Sequence, residues 1–176
     1  MRILRHIVWM VGLVLVYASE PPEIFQYNQS TLQAFYYFDS VSVNNNIIES
    51  EDWVGAFNCV EWNADGTLCL DELCVGARQW DTNNCGEGKC DVPVMGYDGW
   101  DGSDGYMEFG EYPTFKIYDA SEDAVYNATP SENFPWTNFG FYNIDDLNAY
   151  TFLEGCTDVT ACNYDQSAST DNGSCA

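Results

Sequence analysis

Short apolar runs separated by turn signals occupy the chain from Phe25 to Leu147, with no sustained helical period. Runs rich in aromatic and β-branched residues predict strands, and Asp-Gly pairs and the Asn44–Asn46 triplet predict turns between them. About seven strands at this spacing predict an all-β fold, an antiparallel two-sheet sandwich. The predicted strands are residues 31–43, bent or split near Asp39, then 52–57, 73–80, 91–97, 113–120, 123–128 and 139–145.

Four consecutive aromatic residues, Phe35 to Phe38, stand in the first predicted strand. Neighbouring side chains on a strand point to opposite faces, so either both faces are covered or the second face is a binding surface. Core packing and cross-strand pairing are the ordinary role of such residues. The alternative is a platform on which sugars stack, for which we consider Trp80, Trp100 and Trp136.

The first residues have the pattern of a secretory signal peptide. Arg2 and Arg5 precede the apolar run "IVWMVGLVLVYA", and cleavage is expected after Ala18. The run is shorter than the roughly 20 residues that span a bilayer, so we expect a secreted or cell-surface protein without membrane insertion. The predicted organisation is a signal peptide over 1–18, a β-sandwich domain over 19–153 and a Cys/Asp-rich repeat over 154–176, the start of a truncated array.

Cleavage would leave three cations against 28 acids, a net charge of −25. Such a surface repels phosphate backbones and anionic lipid, which argues against nucleic-acid and membrane-surface partners. The only histidine, His6, would leave with the signal peptide, so nucleophile systems and metal sites that need imidazole are excluded from the mature chain. Paired carboxylates for glycoside hydrolysis keep an enzyme fragment as a third hypothesis.

Eight cysteines in an exported chain predict disulfides rather than zinc ligands. Spacing favours Cys59 with Cys69 across a short insertion, and Cys85 with Cys90 across a Gly-rich turn. In the tail, Cys162 could pair with Cys175, which leaves Cys156 over. Its predicted partner is Cys74, which would tie the tail to the sandwich, and the alternative is a cysteine of another repeat or chain.

Several segments resemble a β-sandwich module of secreted multi-repeat proteins from environmental bacteria: "DWVGAFN", "CVGARQWDT", "DVPVMGYDG", "GYM" and "PTFKIYDASED". The tail "GCTDVTACNYDQSASTDNGSC" resembles the GCTD-x-x-ACNYD...DDGSC repeat that follows such modules. The resemblance implies an extracellular repeat protein and assigns no reaction or catalytic residue. Two departures are the inserted "NCVEWNADGTLCLDEL" and Asn172, which stands where the repeat usually has a second Asp.

Three acidic segments are candidate calcium sites, because hard cations prefer oxygen ligands. The insertion follows the register of a twelve-residue calcium loop, although a solvated, disulfide-closed hairpin explains the same residues. The segment "YDGWDGSDGYME" crowds carboxylates among glycines, and a plain turn is its alternative. The third segment is the tail, too short to fold without a disulfide, a metal or a neighbour. The candidate ligands are Glu61, Asn63, Asp65 and Glu72 in the insertion, Asp98, Asp101, Ser103 and Asp104 in the second segment, and Asp158, Asn163, Asp165 and Asp171 in the tail.

Asn28, Asn127 and Asn172 match the glycosylation acceptor pattern. The leading expectation is a non-enzymatic extracellular structural or adhesive module of a secreted repeat, matrix or fibre protein. Its expected partners are other repeats, copies of the same protein, or polysaccharide. A calcium-assisted carbohydrate-binding module is the alternative.

Overall fold

The computed structural model describes residues 20–151, 154–164 and 170–176, so the predicted signal peptide lies outside the described residues. The described chain is built from strands and short 3-10 turns, which confirms the all-β prediction, and none of its helices is long and apolar enough to cross a membrane. Each predicted strand corresponds to an observed one. The strands are β1 (Gln33–Val43), β2 (Asn46–Ile47), β3 (Trp53–Trp62), β4 (Cys69–Gln79), β5 (Asp91–Met95), β6 (Thr114–Asp119), β7 (Ala124–Pro130), β8 (Phe141–Ala149), β9 (Glu154–Gly155) and β10 (Thr170–Asp171). The 3-10 turns are Glu23–Phe25, Thr82–Asn84, Gly86–Gly88 and Asp101–Ser103.

Strands β1 to β8 form one mixed sheet in the order β2-β1-β8-β7-β6-β3-β4, and β5 also pairs with β1. All pairs in this sheet are antiparallel except β1 with β8, which run parallel from Phe35 opposite Phe141 to Val43 opposite Ala149. The prediction of a purely antiparallel arrangement is therefore wrong at this pair. Parallel neighbours need a long connection, and here the connection is nearly the whole domain, which local sequence patterns do not reveal.

The sheet curls so that strands distant in its order share one core. Tyr36 and Phe38 of β1 contact Phe115 of β6, with ring centroids 5.6 and 5.1 Å apart, although β8 and β7 lie between these strands in the sheet. Hydrogen-bond pairing joins strands β1 to β8 into one sheet, so the two-sheet arrangement stays a prediction. The predicted bend in β1 coincides with a change of neighbour, because β5 pairs before Asp39 and β2 pairs after it.

A second apolar cluster lies where the chain enters the fold. The 3-10 turn Glu23–Phe25 places Phe25, fully buried, edge-to-face on Phe57 with ring centroids 5.6 Å apart. Gly55 lies beneath the Phe25 ring, since a Cβ built on Gly55 would stand 2.7 Å from it. The N-terminal segment thereby covers one side of the β3–β4 hairpin.

The inserted residues extend the β3–β4 hairpin rather than form a separate loop. Pairing continues to Trp62 opposite Cys69, with register shifts near Cys59 and Glu61, and the Cys59–Cys69 disulfide links the two strands. The disulfide-closed hairpin, the alternative to a calcium loop, is thus the observed structure.

The tail has its own short pairing. Strands β9 and β10 run parallel, and the disulfide between Cys156 and Cys175 closes the segment. Asn163 holds the chain end through hydrogen bonds with Ser174 and Ala176. A few hydrogen bonds and one disulfide therefore take the place of a core here.

Strands β4 and β5 approach each other closely at Gly76. A Cβ built on Gly76 would lie 1.6 Å from the carbonyl oxygen of Pro93. We expect Gly76→Ala to lower the free energy of unfolding by about 1–3 kcal/mol or more, because the two backbones must separate. Gly86→Ala is the control, since its Cβ meets nothing within 4 Å. Equal urea midpoints for both variants would contradict the observed packing.

Candidate functional site

The segment between β5 and β6 holds the second candidate cation site, and Asp98 organises it. One carboxylate oxygen accepts hydrogen bonds from the backbone N–H and hydroxyl of Thr31, at 3.0 Å each. The other accepts from the hydroxyl of Ser103 at 2.7 Å and the N–H of Trp100 at 3.3 Å. These donors hold the pKa of Asp98 well below its usual range, with the Thr31 N–H the largest contribution. Asp98 therefore ties this segment to the start of β1.

Of the other candidates in this segment, Ser103 contacts Asp98. Ser103 is buried and donates its hydroxyl proton to Asp98, whereas Asp101 and Asp104 are exposed. Asp104 instead borders a shallow cavity of about 290 Å³ beside the hairpin, together with Tyr97, Glu108 and Glu111. The hydrogen bonds of Asp98 close this segment as a turn, which was the alternative to a cation site.

The candidates in the insertion also have partners of their own. Asn63 accepts hydrogen bonds from the N–H groups of Thr67 and Leu68, and Asp65 accepts from Thr67. Glu72 forms an ion pair with Lys116 at 2.7 Å, whereas Glu61 lies exposed. The calcium-loop register therefore does not bring its closing Glu to the turn, because Glu72 lies within β4 and pairs with Lys116 of β6, the strand on the other side of β3.

In the tail, Asp158 caps the turn that follows it by accepting hydrogen bonds from the N–H and hydroxyl of Thr160. These bonds lower the pKa of Asp158. Asp171 accepts from the N–H of Gly173, and Asp165 lies outside the described residues. Within residues 20–151, 154–164 and 170–176, no group of three or more His, Cys, Asp or Glu side chains is arranged to hold a metal ion.

The three tryptophans considered for sugar stacking do not form one platform. Trp80 is buried against Phe38, and Trp136 is buried with its indole N–H donating to the carbonyl of Val94. Only Trp100 is open to solvent, with 75% of its surface exposed. Burial in the apolar core removes Trp80 and Trp136 as stacking residues, and sugar stacking on Trp100 stays a prediction.

The structure confirms two predicted disulfides, Cys59–Cys69 and Cys85–Cys90. The predicted Cys162–Cys175 and Cys74–Cys156 pairs are wrong, because Cys156 bonds to Cys175. Cys162 is an exposed free thiol. Cys74 is a buried one, and burial raises its pKa to about 11. Cys74 packs with Phe25 and Phe57 in the second apolar cluster, so its role is that of a small core residue.

The face of β5, β1 and β8 that points away from the core carries a row of apolar residues, two of them aromatic, that we call the outer row: Pro93, Phe35 and Phe141, opposite one another in register. The Phe35 and Phe141 rings stack, with centroids 5.2 Å apart and planes at 20°. Phe141 is 63% exposed, and Phe139 nearby in the chain is 65% exposed. The sequence indicated a second exposed face at Phe35, but Phe141 was not predicted to belong to it. Phe139 and Phe141 are two residues apart and so would lie on the same side of a strand, which was a signal for an aromatic face.

A polar row runs beside the outer row: Asp91, Tyr37 and Asn143, again opposite one another. Arg78 forms an ion pair with Asp91 at 2.9 Å, and Lys89 pairs with Asp39 and donates to Asn143. Two of the three cations in residues 19–176 thus form ion pairs on this face. The arrangement places exposed rings next to groups that donate and accept hydrogen bonds.

The glycosylation candidates are all exposed. Asn28 donates its side-chain amide to Gly102, Asn127 accepts from Lys116, and Asn172 accepts from the N–H of Ser174. They are accessible at the surface, and the acceptor assignment stays a prediction.

In comparisons with known proteins, no family model, no curated protein and no solved structure matched this chain.

The low pKa of Asp98 gives an expected pH dependence. Because the folded carboxyl ionises below its ordinary value of 3.8, its hydrogen bonds contribute stability above about pH 4, and this contribution is lost as pH falls through the lower folded pKa. We expect Asp98→Asn to lower the melting temperature at pH 7 and to flatten its decline between about pH 4 and pH 2. Asp101→Asn is the control. Parallel melting-temperature profiles for wild type and Asp98→Asn would contradict this role.

Proposed function

We propose that this chain is a non-enzymatic, exported structural or adhesive module of a repeat, matrix or fibre protein. The placement of the disulfides carries this proposal. They join cysteines only 10, 5 and 19 positions apart, and each closes a peripheral element: the hairpin, a short link and the tail. They do not cross the core. Such links keep exposed segments closed against proteases and shear, which suits a protein that persists outside the cell.

Three disulfides indicate an oxidising environment, and the predicted signal peptide supports export. The resemblance of the domain and tail to modules of secreted multi-repeat proteins supports a place within a repeat array. Other repeats or copies of the same protein are its proposed partners. The two-sheet sandwich is the proposed description of the fold, supported by the contact of Tyr36 and Phe38 with Phe115 across the interior.

The proposal assigns no reaction, because residues 19–176 contain no histidine. A calcium-assisted module receives less support. Asp98 and Glu72, central to two candidate sites, already bind Thr31, Ser103 and Lys116. Carbohydrate binding without calcium does not require these carboxylates, and the apolar surface of the outer row is the feature relevant to it.

Protease sensitivity tests the proposed role. Protein secreted into the medium should begin at Ser19 and resist a broad-specificity protease. We expect the paired substitution Cys59→Ser with Cys69→Ser to cause cleavage within residues 58–73 many times faster than in wild type, because most side chains at the extended end of the hairpin are exposed and only local strand and turn hydrogen bonds would then hold it.

Cys162→Ser is the matched control, since it removes an exposed thiol that forms no disulfide. Intact-mass analysis over time identifies the cleavage position. Equal cleavage rates for wild type and the paired variant, or retention of residues 1–18 on an unsecreted protein, would contradict the proposal.

A further inference from the structure

The outer face of strands β5, β1 and β8 presents apolar surface that the core does not use. Inward-pointing Ala34, Tyr36 and Phe38 are buried, whereas Phe35 and Tyr37 point the other way. At Phe141, strand β8 has β1 on one side, and its pairing with β7 begins only at Leu147. Phe141 thus stands where β8 has a single partner strand, which explains why most of it is exposed.

We propose that this face binds a neutral polysaccharide, with the Phe141 ring stacking on the apolar face of a sugar unit and the polar row contacting its hydroxyl groups. This names the ligand class of the proposed adhesive role and rests on that role. Carbohydrate sites combine an aromatic surface with a few hydrogen-bonding groups that fix orientation. The exposed amide of Asn143 is the polar-row group nearest in sequence to Phe141, and Tyr37 is the next outward residue after Phe35.

The charges of this face favour a neutral occupant. Arg78 and Lys89 pair with Asp91 and Asp39, and Asp145 is a further exposed acid on the outward side of β8. The face therefore carries two cations and three acids, close to neutrality, whereas the mature chain carries 28 acids and three cations. A second copy, or an anionic polysaccharide, would meet long-range repulsion from the remaining acids. A neutral polymer meets no such electrostatic repulsion.

The third cation, Lys116, is held by Glu72 on a different part of the sheet. The near-neutral charge of the outer face is therefore a local property that follows from where Arg78 and Lys89 stand. The near-neutral charge and the exposed Phe141 ring occur on the same face. Trp100 is also exposed, but its neighbours in the chain, Asp98, Asp101 and Asp104, are acids.

Native gel electrophoresis tests the proposal, because this acidic protein migrates strongly and a bound polymer slows it. The probes are gels cast with hydroxyethylcellulose, xyloglucan, galactomannan or laminarin, and one cast with alginate. We expect at least one neutral polymer to retard the mature protein, and Phe141→Ala to weaken that binding by about tenfold or more, since aromatic anchors dominate such contacts. Phe141→Tyr keeps an aromatic ring and should retain most of the polymer binding.

Phe109→Ala is the matched control, because Phe109 is 83% exposed and lies on the segment between β5 and β6 rather than on β5, β1 or β8. Phe35→Ala should also weaken binding. If this substitution impairs folding, the Phe141 variants test the proposal instead, because Phe141 is exposed. No retardation by any neutral polymer, retardation by alginate alone, or equal binding by wild type and Phe141→Ala would overturn the proposal. So would sedimentation showing that Phe141→Ala converts a dimer to a monomer, because the occupant would then be a second copy.

The two proposals fail separately. A protein that resists protease but is not retarded by any neutral polymer keeps the structural role and loses the ligand. Loss of protease resistance in the wild type removes the adhesive role on which the ligand rests.

Discussion

Packing of Tyr36 and Phe38 against Phe115 across the interior is the interaction on which the rest of this structure depends. These rings join β1 to β6, which are three positions apart in the sheet, and so hold the curl of the sheet closed. Once the even-numbered aromatics of β1 point inward, the period of two forces Phe35 and Tyr37 outward. The exposed outer row is therefore a direct consequence of how the core is packed.

Local patterns in the sequence were sufficient to locate the strands. Alternation and turn residues predicted every strand from β1 to β8 except β2, and spacing predicted the Cys59–Cys69 and Cys85–Cys90 disulfides, whose partners are close in the chain. The two-residue strand β2 was missed because it carries no period of its own. The parallel pairing of β1 with β8 was missed because it joins residues about a hundred positions apart, and no local signal encodes such a pairing.

The candidate sites were harder to predict, because composition does not reveal orientation. Trp80 and Trp136 have the same chemistry as Trp100, yet the core contains the first two. The oxygens of Asp98 and Glu72 suit a cation, but in the fold they already have protein partners. Asp98 accepts hydrogen bonds from Thr31 and Ser103, and Glu72 forms an ion pair with Lys116. Cys74 looked like the partner of an unpaired tail cysteine, and it is instead a buried core residue. In each case a neighbour supplied by the fold decided the role of the side chain.

The inward and outward division of the β1 aromatics can be measured directly in solution. A soluble paramagnetic agent broadens the NMR signals of side chains that it can approach, so ring signals report exposure. The account predicts strong broadening for Phe141, intermediate broadening for Phe35, and little for Tyr36 and Phe38, together with cross-relaxation between the Phe38 and Phe115 rings. Strong broadening of Tyr36 or Phe38, or protection of Phe141 equal to theirs, would contradict it.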